Sequence, residues 1–143
     1  MTWALCFNCG ATKFGAICPC DECACSSTGD MSLDIAFSHH RLSRDTLKAF
    51  GAAVASIRRV CDDDRLRFWS FIHYVSTRYP DILGANMPAE QRDRCEEVLA
   101  RANPPPVTVE ESESGKLLRE LEERAEEERR PGSGGHAEFL PGN

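Results

Sequence analysis

The sequence predicts a mainly α protein, in which a small N-terminal cysteine-rich β unit docks on a three-helix bundle and a flexible acidic helix and tail follow. Three observations carry this reading. Six of the eight cysteines fall between Cys6 and Cys25. Three stretches between residues 44 and 102 repeat apolar residues at helical spacing. Three consecutive prolines, Pro104 to Pro106, then separate a charge-balanced centre from an acidic end. Charge follows the same division into units 1–30, 31–103 and 104–143. The first carries one lysine and three acids, the second eleven basic and ten acidic residues, the third five and ten.

In the first unit, Cys6-Phe-Asn-Cys9 and Cys20-Asp-Glu-Cys23 are two Cys-x2-Cys turns with ten residues between them. A thiolate is a soft, negative donor, and each such turn closes two of them on one ion. Gly10 follows the first turn and tolerates the positive φ that lets backbone N–H groups face the sulfurs. Lys13 to Ile17 reads as a strand returning toward the second turn. A unit of this size cannot fold on hydrophobic burial alone. Structural zinc contributes roughly 10–16 kcal/mol of apparent binding free energy, which becomes folding free energy. With CFNCG and CDEC the segment resembles the zinc ribbon and zinc knuckle superfamily over residues 1–25, and the resemblance implies a structural zinc. Cys18 and Cys25 depart from the simple pattern. One arrangement is a single zinc on Cys6, Cys9, Cys20 and Cys23, with Cys18 an alternative ligand in the second half. The other is two metals shared by all six thiolates, Cys18 and Cys25 included.

Ser26 to Asp30 is a turn-rich joint. Beyond it Met31, Leu33, Ile35 and Phe37 alternate with smaller or polar residues, which predicts a strand over 31–37. Ser43 then caps a helix over about 44–61, with Leu47, Phe50, Val54, Ile57 and Cys61 on one stripe. Asp62 to Asp64 break that pattern and cap a second helix over about 64–79, the most apolar of the chain, which stops before Pro80. A third, about 88–102, starts near Pro88 and places Cys95, Val98, Leu99 and Ala102 on one face. Asn103 to Pro106 ends the compact part and reads as an extended, stiff connector. Gly115 to Arg130 carries a short stripe of Leu117, Leu118, Leu121 and Ala125, supported by i,i+4 pairs such as Glu120 with Arg124. This predicts a mobile helix that orders against a partner or a second copy of the chain. From Pro131 onward the composition reads as disordered.

Function classes narrow from here. The start lacks the basic and apolar regions of a secretory signal, and no run reaches the ~20 apolar residues of a membrane-spanning helix. This predicts a soluble, intracellular protein of the cytoplasm or nucleus, with no membrane partner. There is no G-x-S-x-G, Walker-type loop or H-E-x-x-H, so no catalytic residue is assigned and no enzyme is expected. Thiol redox or metal handling is an alternative, but it lacks the helix N-terminus and βαβ pattern of a redox Cys-x2-Cys. Cys61 and Cys95 read as small core hydrophobes. His39 and His40 read as loop, and His73 as a hydrogen-bonded or solvated histidine. Arg58, Arg59, Arg65, Arg67 and Arg78 are the basic concentration, interrupted by three aspartates, so nucleic-acid binding is an alternative that charge disfavours. The runs from Asp30 to His40 and from Leu66 to Ser76 also resemble small fungal proteins with a similar cysteine-rich start, a resemblance that implies no activity. The leading expectation is a non-enzymatic adaptor or regulatory module that binds another protein, or itself, through Leu117, Leu118 and Leu121.

Overall fold

The computed structural model describes residues 2–130. It is mainly helical, with a two-stranded antiparallel sheet at its N-terminal end. β1 (Trp3–Leu5) pairs with β2 (Thr12–Phe14) in the register Trp3 with Phe14 and Leu5 with Thr12. Five helices follow among the described residues: α1 (Met31–Ala36), α2 (Arg44–Val60), α3 (Asp64–Arg78), α4 (Ala89–Ala102) and α5 (Glu113–Arg129). None is long and apolar enough to cross a membrane.

The helix ends follow from their sequence. Ser43 Oγ accepts from the Thr46 backbone N–H at the start of α2, and Asp63 does the same for Leu66 in α3. Pro88 precedes α4, where its missing N–H costs no intrahelical bond. Asn103 ends α4 in the left-handed conformation. Helices α2, α3 and α4 pack on one another and β1 packs on α2. Their shared core is aromatic. Phe37, Phe50 and Phe71 form a mutually edge-on or tilted cluster at 5.4–6.0 Å between ring centroids, extended by Tyr74 and Tyr79. Phe7, from the first cysteine turn, inserts its ring between Phe37, Phe68 and Phe71. Burying one such side chain stabilises by about 1.5–3 kcal/mol.

Two segments differ from expectation. Residues 31–37 are not a strand: 31–36 form α1, because Asp30 caps Leu33 N–H and buried Asp34 takes two hydrogen bonds from Thr28. Met31 is exposed and Asp34 buried, the reverse of what the alternation required. The edge of β1 pairs instead with the residues after the helix, through Leu5 N–H to Phe37 O at 2.9 Å and His39 N–H to Trp3 O at 2.7 Å.

The proline-rich segment is extended, but it is a strap and not a free linker. Tyr74 Oη donates to Pro105 O at 2.9 Å, and Tyr79 Oη accepts from Val107 N–H at 2.7 Å. The Thr46 hydroxyl donates to Thr108 O and accepts from Glu110 N–H. Val107 enters the core. The strap delivers α5, which packs on no other helix or strand among the described residues. Its anchor is the first turn, where a Cβ on Gly115 would lie 2.3 Å from the Arg41 carbonyl oxygen. The tail from Pro131, expected to be disordered, lies outside the described residues.

Candidate metal centre

The two cysteine turns are one backbone motif used twice. In the first, Gly10 N–H donates to Cys6 O and Cys6 N–H to Ala11 O, both at 2.9 Å. In the second, Ala24 N–H donates to Cys20 O at 2.8 Å and Cys20 N–H to Cys25 O at 3.0 Å. Gly10 and Ala24 occupy the same place, each at positive φ, +85° and +62°. Alanine bears a cost of roughly 1–2 kcal/mol there. The β1–β2 pairing holds the first turn at the end of its hairpin.

The turns face each other and bring Cys6, Cys9, Cys20 and Cys23 together, all four sulfurs within 4.8 Å of one another. Sγ of Cys6 lies 3.7 Å from that of Cys23, and Cys9 the same distance from Cys20. A tetrahedral shell with metal–sulfur bonds of about 2.3 Å has sulfur–sulfur edges of about 3.8 Å. The residues therefore fit one metal ion. Cys6 and Cys20 are buried, whereas Cys9 and Cys23 are partly open. Around the sulfurs, Asn8 Nδ2 donates to Cys23 Sγ at 3.4 Å and Glu22 N–H to Cys20 Sγ at 3.3 Å.

No family model, curated protein or solved structure matches this chain.

The thiols are not alike electrostatically. Burial pushes the Cys6 thiol up, and the Cys9 thiol up to about 12, against backbone N–H groups that favour the thiolate. Burial acts the same way on Cys23, but hydrogen bonds from the Asn8 side chain and the Cys25 backbone overcome it and lower that thiol to about 6. A metal held here would displace protons from the thiols that burial keeps protonated.

The remaining sequence candidates stand apart from this group. Cys18 and Cys25 are exposed and lie outside the four-sulfur set. Cys61 and Cys95 are buried in the helical body, and burial raises the Cys95 thiol. His40 meets Thr2 Oγ1 at 3.3 Å, and His73 is buried with its Nε2 2.5 Å from Glu96 Oε2 across the α3–α4 interface. Of the arginines, Arg58 donates to Asn8 O at 3.1 Å, and Arg67 holds Cys61 O and Asp64.

Sequence reasoning missed the docking residues. Gly10 and Gly51 meet backbone to backbone: a Cβ on Gly51 would lie 2.1 Å from Gly10 O, and one on Gly10 2.2 Å from Gly51 O. A glycine inside the alanine-rich stretch of α2 was the available signal, since it costs about 1 kcal/mol against alanine and so marks a close approach.

Proposed function

We propose that this chain is a non-enzymatic module in which one zinc ion fastens the N-terminal turns to the helical body and a projecting helix binds another protein. The observation that carries the reading is the closed set of four cysteine sulfurs. Four thiolates at tetrahedral spacing are the donor set of structural zinc, and they leave no open position for a substrate or a reactive water. Cys6, Cys9, Cys20 and Cys23 hold the ion. Asn8 and the Glu22 amide orient its sulfurs. The ion supplies folding free energy, and the chain supplies the surfaces that energy holds in place.

The interaction surface is α5. Its seventeen residues extend about 25 Å, and Leu117 and Leu121 are 58 % and 47 % exposed. Leucines left in water on a helix anchored at its first turn are the pattern of a helix that lays its apolar stripe into a groove. Three leucines make too small a face for a stable dimer, which favours a larger partner over a second copy.

Native mass spectrometry of the full chain tests the first half, with one zinc per chain expected. A chain that takes up no zinc at neutral pH ends the proposal. For the second half, a Leu117→Glu, Leu121→Glu variant should keep its far-ultraviolet circular dichroism and zinc content while losing the partner captured by the wild-type chain. Retention of that partner would place the interaction elsewhere.

A further inference from the structure

Lys13 is the middle residue of β2, opposite Ala4, and only 5 % of it is exposed. Its ammonium donates to the carbonyl of Cys18 at 2.8 Å, two residues ahead of Cys20. That bond uses one of its three donors. Among the described residues no carboxylate forms an ion pair with it. Lys13 also lines, with Cys6, Asn8 and Cys25, a cavity of about 290 Å³ between the metal unit and the start of α3. The carboxylate on that wall, Asp64, is ion-paired with Arg67.

A lysine is almost never this buried unless it is paired, because an ammonium leaving water needs a counter-charge. A divalent ion on four thiolates is a doubly negative centre, and Cys6 of that centre shares the Lys13 cavity. We infer that Lys13 is the counter-charge of the metal–thiolate centre, a positioning residue that steadies the second cysteine turn and offsets the excess negative charge of the bound sulfurs. The inference rests on the four-cysteine reading above and deepens it. Two effects follow from the charge: the ion is held more tightly, and the coordinated sulfurs are less nucleophilic toward alkylating agents.

Three variants of the full, zinc-loaded chain separate charge from packing and from hydrogen bonding. Lys13→Met keeps the apolar stem, Lys13→Gln keeps a donor without the charge, and Lys13→Arg keeps the charge. Zinc affinity is read by competition with a chromophoric chelator, and sulfur reactivity by the rate of alkylation with iodoacetamide. Absorption of the cobalt-substituted chain reports whether the four-sulfur shell is intact. Met and Gln variants should bind zinc about ten-fold or more weakly and alkylate faster, as loss of an outer-shell partner does elsewhere, while the Arg variant stays near wild type. Wild-type affinity in Lys13→Gln would overturn the inference even if Lys13→Met did not fold. Equal losses in the Arg and Gln variants would also overturn it, since packing and not charge would then be at stake. A wild-type chain that binds no zinc would instead defeat the parent proposal, so the two failures are distinct.

Discussion

At the scale of single residues, the docking of the cysteine unit turns on a pair of hydrogen atoms. Gly10 and Gly51 let a turn and a helix meet backbone to backbone, and each position would place a Cβ on the other's carbonyl oxygen. Replacing Gly51 with alanine sets two effects against each other. Helix propensity gains about 1 kcal/mol, while overpacking costs typically 1–3 kcal/mol, and more where the obstacle is backbone that no rotamer change can move. At a separation of 2.1 Å the clash wins. Gly51→Ala is therefore expected to lower the stability of the zinc-loaded chain by about 1–2 kcal/mol in urea denaturation, despite improving α2. An unchanged or higher midpoint would show that the turn can ride away from the helix at no cost. Alone among these features, the cysteine spacing was legible in the sequence, because two turns of identical length advertise themselves. The Gly10–Gly51 contact was not: a glycine within α2 marks a close approach, but no local pattern names its partner forty positions away.

At the scale of elements, the long helices were readable because α2, α3 and α4 each carry an apolar stripe over several turns. The six-residue α1 was not. A run that short satisfies both periods, and what decides it is Leu33 N–H donating to Asp30 and Thr28 donating twice to Asp34. The strap escaped for a different reason. Its attachments are backbone carbonyls and amides meeting the hydroxyls of Thr46, Tyr74 and Tyr79, and backbone groups leave no trace in composition. One consequence concerns α5. Beyond its first turn, α5 is tied back by the bidentate pair of Arg41 with Glu122, at 3.2 and 2.7 Å, and by Arg119 with Glu111 of the strap. Hydrogen bonding to Arg41, then its charge, holds the Glu122 carboxyl below its ordinary value of 4.5. A carboxylate lowered in the folded state contributes stability that is present above the unfolded value and is lost as pH falls through the folded one. The Arg41 and Gly115 resonances should therefore shift together in an NMR titration below about pH 4.5 as the helix lets go, and high salt should mimic acid. Arg41→Ala should abolish the acid-dependent step, whereas a step that survives in this variant would trace it to another carboxylate.

At the scale of the whole molecule, the cysteine unit docks on the helical body through one shared core. Phe7 leaves the first cysteine turn and enters the aromatic cluster, Leu5 N–H bonds to Phe37 O, and Arg58 reaches back from α2 to Asn8 O. Neither part can open without exposing the other. A ligand that binds only the folded state stabilises it by an amount that grows with the logarithm of its free concentration, about 2.7 kcal/mol at a hundred times its Kd. For a chain of this size each kcal/mol moves Tm by roughly 2–6 °C. Zinc should then raise the melting temperature of the helices themselves, seen at 222 nm, by roughly 10 °C or more over the chelated chain. The zinc-loaded chain should melt in one transition, with intrinsic tryptophan fluorescence and helicity lost together, since Trp3 lies on β1 and Trp69 on α3. Two separate transitions, or helices that melt at the same temperature with and without chelator, would mean that the metal stabilises only its own turns and that the shared aromatic core does not couple them to the bundle.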